Sequence, residues 1–418
     1  FTSMAASSTG IAFVNRLARE RYTTNQIYLN GSGVAAGDYD GDGLCDLFFS
    51  GLDSENKLYR NLGDWKFEDV SPKARVRGKH FTSTGACFAD VNGDRRLDLI
   101  SNTVGRGTWV LLNDGEGSFR AVRPLNAKGG GMSMALADVD GDGDLDLYVV
   151  NYRTFTIRDQ PGIKLRGSTI DGVPQVISVN GMSLEAADSV GRFTLKTNGK
   201  IVENGQADRL YLNDGRGTFT PVSFTAGAFL DEDGERLAKP PYDWGLSAMF
   251  RDMNRDGRPD LYVCNDFESP DRIWINQGQG VFRAIDRLAI RKSSHFSMGI
   301  DFADLNRDGL DDFIVEKVIV PEGVDVITHI SSKDVIHCFK VIPLRVCQDA
   351  IPGLQIPVHF KARKKMKTWI NCAQLCGDGH AAMRGDFEVM SQKDFATWWN
   401  QNSGWWLKAP APKLAVAP

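Results

Sequence analysis

A nine-residue aspartate pattern occurs five times in the first 316 residues: DYDGDGLCD (38–46), DVNGDRRLD (90–98), DVDGDGDLD (138–146), DMNRDGRPD (252–260) and DLNRDGLDD (304–312). Carboxylates or their amides stand at positions 1, 3, 5 and 9 of each loop. Gathered on one turn, such groups repel one another unless something positive sits among them. With a backbone carbonyl at position 7 and glycine at position 6 for the sharp turn, the spacing surrounds one hard cation with oxygens. Calcium, up to five ions, is the expected occupant, because magnesium demands stricter octahedral geometry. The expected ligands are Asp38, Asp40, Asp42 and Asp46; Asp90, Asn92, Asp94 and Asp98; Asp138, Asp140, Asp142 and Asp146; Asp252, Asn254, Asp256 and Asp260; and Asp304, Asn306, Asp308 and Asp312. Arg95 takes the glycine position of the second loop. A metal-free Asp-Gly turn would account for a single copy; five in register favour a cation that stabilises the surrounding strands.

The loops start 52, 48, 114 and 52 residues apart. Four are followed by KLYRNLGDWKFEDV, TWVLLNDGEGSFRAV, RLYLNDGRGTFTPV and RIWINQGQGVFRAI, where alternating apolar residues and Gly-rich turns predict hairpins. Each unit thus predicts a four-stranded antiparallel sheet of about fifty residues, the size of a propeller blade. The long spacing holds an insertion, 153–208, with Asn180-Gly181, Asn198-Gly199 and Asn204-Gly205 as hairpin-turn candidates. A smaller enlargement, TAGAFLDEDGERLAKPPYDW, precedes the fourth loop, and both are expected binding surfaces. The fifth unit ends at DDFIVE without an outer hairpin, whereas NQIYLNGSG near the N-terminus reads as an outer strand. The two ends would then complete one blade; otherwise the propeller is truncated.

GVAAGDYDGDGLCDL, GGGMSMALADVDGDGDLDLYVVNYRT, ESPDRIWINQGQGVF and FSMGIDFADLNRDGLDDFIV resemble the FG-GAP/VCBS repeats of bacterial extracytoplasmic proteins that also carry an ASPIC/UnbV-type module. Over residues 1–316 this resemblance implies a calcium-bearing β-propeller used in adhesion or assembly, with a protein or carbohydrate ligand, and names no reaction.

After Glu316 the aspartate pattern stops, and KVIVPEGVDVITHISSKDVIHCFKV reads as strands and a turn with no flexible linker. Either two domains abut there or intervening sequence is absent. Cys45, Cys87 and Cys264 are scattered, while Cys338, Cys347, Cys372 and Cys376 crowd together. Cys338 and Cys347 are expected to be strand residues, or a pair in an oxidising compartment. CAQLCGDGHAAM (372–383) offers the thiolates of Cys372 and Cys376, the imidazole of His380 and the thioether of Met383, donors suited to copper. His337, expected at an adjacent strand end, supplies a second imidazole. A CxxxC beside one histidine is more often a zinc site or a buried pair, but Met383 would serve zinc poorly.

Ligand order, spacing and the intervening VCQDAIPG make residues 321–390 similar to the binuclear copper (CuA) domain of cytochrome c oxidase subunit II. That resemblance implies two copper ions bridged by both thiolates, one each on His337 and His380, with Met383 and the Gln374 backbone carbonyl as further ligands. It also implies a cupredoxin β-sandwich that accepts electrons from cytochrome c and passes them to a haem-copper oxidase catalytic subunit. Gln374 replaces a glutamate common in that family, which puts an interface magnesium in doubt. Neither a membrane hairpin nor an aromatic electron-entry strand is recognisable before residue 317.

The expected fold is therefore all-β: a calcium-loop β-propeller (1–316), then a small, partly truncated cupredoxin-like β-sandwich (317–398) with a short C-terminal helix, then a tail or linker (399–418). The helix should open on Ser391 and Asp394, a capping box. The expected function is extracytoplasmic, periplasmic electron transfer with membrane association through partners or a segment outside this chain; the alternative is a calcium-dependent scaffold with a vestigial copper domain. The chain begins at Phe1 rather than Met, as a processed or partial polypeptide would. A net charge of −4 gives no footprint for nucleic acid. Residues 1–316 hold two histidines, His80 and His295, too few for the multi-histidine copper cluster of a nitrous oxide reductase, and no independent catalytic site is recognisable. The basic run KARKKMK (361–367) reads either as a docking site for an acidic redox partner or as a solvated hairpin.

Overall fold

The computed structural model describes residues 4–78, 81–160, 162–186, 189–196, 198–267, 269–285, 297, 299–300, 317–330, 337–350, 356–372 and 384–402. The chain divides into two compact units, one holding the described residues up to 300 and the other those from 317 onward. Strands are the dominant regular structure of both, with only short helices beside them, so the all-β expectation holds.

Four sheets repeat in the first unit, each built on a four-stranded antiparallel meander, to which sheet 4 adds one parallel edge strand. Sheet 1 comprises Val34–Gly37, Asp46–Phe49, Lys57–Asn61 and Phe67–Asp69. Sheet 2 comprises Ser83–Ala89, Asp98–Thr103, Gly107–Asn113 and Phe119–Ala121. Sheet 3 comprises Gly131–Ala137, Asp146–Asn151, Arg209–Asn213 and Phe219–Val222. Sheet 4 comprises Gly245–Arg251, Asp260–Asn265, Arg272–Gly278 and Val281–Ala284, with Phe229–Leu230 paired parallel to the last as a fifth strand. In every sheet an aspartate loop joins the first strand to the second.

The second strands are buried at every position in sheets 2, 3 and 4. Because successive side chains of a strand point to opposite faces, each strand feeds two cores. Leu99 packs in the core between sheets 1 and 2, and its neighbour Ile100 in the core between sheets 2 and 3. Leu147 and Val149 likewise join sheet 2, while Tyr148 and Val150 join sheet 4. Face-to-face stacking with a separate apolar layer at each junction, and the first strands of successive sheets side by side, is the local arrangement of propeller blades. The fifth loop lies outside the described residues.

Three local expectations need correction. Gln26–Asn30 is a 3-10 helix rather than an outer strand. Asn25 accepts from the Ile27 N–H at 3.1 Å, and Ile27 is buried against Met132, Tyr152 and Trp244, so tertiary packing overrides the strand-like pattern. Asn204-Gly205 is not a hairpin turn: a Cβ built on Gly205 would collide with the Asp243 carbonyl, so glycine is there for close backbone approach. The longest hairpin of the insertion, Leu165–Ile170 with Val173–Val179, turns instead on Asp171-Gly172, both left-handed (φ 49° and 79°). Asn180-Gly181 and Asn198-Gly199 do sit at turns. The smaller enlargement is partly core: Phe229, fully buried, stacks on Phe282 with ring centroids 5.4 Å apart and lies edge-on to Trp274.

The second unit has a five-stranded sheet ordered Lys317–Pro321, Arg384–Met390, Met366–Cys372, His337–Val341, Val346–Ala350, and a two-stranded sheet of Asp325–Ile330 with Ile356–Lys361. Val320, Val341, Phe387 and Val389 from the first sheet meet Val358 and Phe360 from the second, forming a small sandwich core. Cys338 is opposite Asp349 and Cys347 opposite Lys340, so the two are strand residues out of register with each other. The C-terminal helix spans Gln392–Asn402, and the Asp394 N–H donates to Ser391 Oγ at 3.0 Å, the expected cap.

Gly205→Ala should destabilise the first unit by at least about 2 kcal/mol, because backbone rather than a flexible side chain must move. Thermal unfolding checks this, and an unchanged midpoint would contradict the close approach.

Candidate metal sites

Each described loop is organised by its own carboxylates. The position-1 aspartate accepts backbone N–H groups from inside the turn: Gly41 (2.8 Å) and Gly43 (2.9 Å) donate to Asp38, and Gly141 (2.7 Å) and Gly143 (3.0 Å) to Asp138. Asp90 accepts from Gly93 and Arg95, and Asp252 from Asp256 and Gly257. The position-5 aspartates Asp42, Asp94, Asp142 and Asp256 each accept from the position-7 N–H at 2.9–3.0 Å. The turn is left-handed at position 4 as well as 6, which puts Arg255 (φ 64°) and Arg95 (φ 65°) where an L-residue meets a steric cost.

The position-9 aspartates have a different task. Asp46, Asp98, Asp146 and Asp260 are wholly buried, and each accepts two backbone N–H groups. One comes from position 2 of its own loop: Tyr39 (3.1 Å), Val91 (3.1 Å), Val139 (2.9 Å) and Met253 (2.9 Å). The other comes from the last residues of the third strand: Asn61 (2.7 Å), Asn113 (2.7 Å), Asn213 (2.9 Å) and Asn276 (2.8 Å). Burial pushes all four carboxyls up to about 6, partly offset by those hydrogen bonds. At neutral pH they are charged against a desolvation cost that a nearby cation would reduce.

Carboxylate oxygens of Asp38, Asp40 and Asp42 lie within 4.8 Å of one another, as do those of Asp138, Asp140 and Asp146. Both sets fit a hard cation in donor type and span. The loops at 90–98 and 252–260 carry asparagine at position 3 and so offer fewer carboxylates. Cationic side chains already lean on these groups: Arg60 contacts Asp40 (2.6 Å) and Asp42 (2.8 Å), Arg96 contacts Asp94 (2.5 Å), and Arg258 contacts Asp256. Asp304, Asn306, Asp308 and Asp312 lie outside the described residues.

In the second unit the strand His337–Val341 pairs with Met366–Cys372, Phe339 opposite Cys372. The backbone therefore sets His337 at the start of its strand, two residues before the one that faces Cys372. The donor set of two cysteines, two histidines and a methionine suits copper by softness. Gln374, Cys376, His380 and Met383 lie outside the described residues. The basic run is exposed at Lys361, Arg363, Lys364, Lys365 and Lys367, with Lys361 paired to Asp325 (3.1 Å) and Lys367 to Glu388 (3.1 Å).

Two families match the chain. The FG-GAP-like repeat matches residues 38–101, 90–149 and 252–315, and the periplasmic domain of cytochrome C oxidase subunit II matches 293–389, overlapping the last repeat over 293–315. Among curated relatives, cytochrome c oxidase subunit 2 of Thermostichus vulcanus is 46% identical over 83 residues, 20% of this chain and 25% of that protein. The subunit 2 of Cereibacter sphaeroides is 33% identical over 87 residues, 21% of this chain and 29% of that protein. This chain thus spans under a third of the length of these relatives. Among solved structures, the periplasmic domain of subunit II of cytochrome oxidase (CoxB) of Bradyrhizobium japonicum is 28% identical, covering 26% of this chain and 78% of that one, with a TM-score of 0.21. The chain joins FG-GAP-like repeats to an oxidase subunit II periplasmic domain. No helix among the described residues is long and apolar enough to cross a membrane.

Arg95→Gly should relieve the left-handed strain at the second loop and raise stability by about 1 kcal/mol. Denaturant unfolding reads the change, and an unaltered or lower stability would contradict the strain.

Proposed function

With both kinds of domain in one polypeptide, we propose that the C-terminal unit is a CuA electron-transfer domain and that the N-terminal repeats are a calcium-stabilised propeller appended to it. The observation that carries the copper reading is the subunit II match over 293–389, which spans His337, Cys372, Gln374, Cys376, His380 and Met383. The pairing of the His337 and Cys372 strands supports it. Cys372, Cys376, His337, His380, Met383 and the Gln374 backbone carbonyl would together hold two coppers. Bound in this way, the metal pair would supply a one-electron carrier. The protein's part would be to hold these ligands on a rigid scaffold, so that little rearranges when the charge changes. Cytochrome c as donor, a haem-copper oxidase catalytic subunit as acceptor and a periplasmic location follow from the same reading.

In the repeats the position 1, 3, 5 and 9 side chains would hold calcium and offset the repulsion and desolvation of the carboxylates. The ions there would be structural. A protein or carbohydrate ligand of the propeller belongs to this reading as its binding function.

Copper reconstitution should yield a mixed-valence visible and paramagnetic-resonance signal that Cys372→Ser abolishes; a signal surviving that substitution, or none in the parent chain, would sink the redox assignment. Calcium at a hundredfold excess over its dissociation constant should stabilise the repeats by about 2.7 kcal/mol per site, lost on adding a chelator. An unfolding midpoint of the first unit indifferent to chelation would contradict the calcium assignment.

A further inference from the structure

In sheets 2, 3 and 4 the asparagine near the end of the third strand reaches beyond its own sheet. Asn113 Nδ2 donates to the Tyr39 carbonyl of the preceding loop at 2.8 Å, Asn213 Nδ2 to that of Val91 at 2.8 Å, and Asn276 Nδ2 to that of Val139 at 3.0 Å. Each acceptor is position 2 of the preceding aspartate loop. The same Nδ2 groups also meet the position-8 carbonyls of their own loops, Leu97 (3.0 Å), Leu145 (3.2 Å) and Pro259 (3.1 Å). The three asparagines are buried.

These contacts link into one line. The Tyr39 carbonyl accepts from Asn113, whose N–H donates to Asp98; the other oxygen of Asp98 holds the Val91 N–H, and the Val91 carbonyl accepts from Asn213. Asn213 donates to Asp146, which holds Val139, whose carbonyl accepts from Asn276; Asn276 donates to Asp260, which holds Met253. A position-9 carboxylate recurs at each step of the line. Anything that fixes that carboxylate also fixes the asparagine, and through it the peptide of the loop before.

We propose that Asn113, Asn213 and Asn276 are positioning residues that couple the cation loops, so that occupancy of one loop tightens binding at the preceding one. The proposal rests on the calcium reading above. A cation drawing Asp146 into its shell orders the Asn213 backbone, and the Asn213 side chain then holds the Val91 peptide in the conformation that the 90–98 loop needs. Linkage makes the effect reciprocal: filling the 90–98 loop must tighten 138–146 by the same factor. An asparagine that only glued sheets together would alter stability without making the affinity of one loop depend on the state of the next.

The test is a double-substitution cycle on the full chain, read by hydrogen exchange of peptides covering each loop across a calcium titration. Asp140→Ala removes the position-3 oxygen ligand and disables the 138–146 loop. It should raise the calcium midpoint for protection of 90–98 by at least about fivefold when Asn213 is present. In Asn213→Ala, Asp140→Ala should leave the 90–98 midpoint unchanged. An equal shift in both backgrounds, or no shift in the parent, overturns the coupling while leaving calcium binding intact. No calcium-dependent protection in any loop of the parent overturns the calcium reading and the coupling with it. Should Asn213→Ala fail to fold, Asn113→Ala with Asp90→Asn, read at 38–46, decides by the same criteria.

Discussion

A buried carboxylate with two backbone donors recurs in each of the four sheets, and the first unit is organised around it. Asp46, Asp98, Asp146 and Asp260 each tie the start of an aspartate loop to the end of a third strand. An ionised group out of water is costly unless it is paired or hydrogen-bonded. Two N–H donors offset part of that cost, and a cation between the remaining carboxylates would offset more. The loop and the sheet's architecture therefore share an atom-level element, and neither can shift without the other.

Much of this was legible in the sequence. The spacing of the aspartates located the four described loops, and apolar alternation predicted the meander of each sheet, because both depend on residues adjacent in the chain. The strand-end placement of His337 was legible for the same reason, and its strand pairs with the one that ends at Cys372. What escaped was set by distant contacts. IYLN at 27–30 repeats the ending of the third strands, yet it forms a 3-10 helix because Ile27 packs among Met132, Tyr152 and Trp244. Asn204-Gly205 has turn composition, but the approach of Asp243 decides its role. The intersheet reach of Asn113, Asn213 and Asn276 is invisible locally, although an asparagine near the end of every third strand was a signal to be followed.

On the proposed reading, the two units divide metal chemistry by donor hardness. The repeats offer carboxylate and carbonyl oxygens, and the described part of the second unit places His337 and Cys372 on paired strands. Hard cations with flexible coordination suit the first, and copper the second. Such a division would let one chain take up both metals without either site competing strongly for the other's ion. It would also separate their roles, since the loops would reinforce the sheets whereas the sandwich would hold a ligand set still.

The most direct measurement is elemental analysis of the purified full chain after exposure to calcium, copper and zinc together, with a parallel sample of Cys372→Ser. Two coppers per chain alongside calcium at several equivalents, with only copper lost in the variant, is the predicted result. One zinc in place of copper, or a chain that retains no calcium, would contradict the division of labour between the two units.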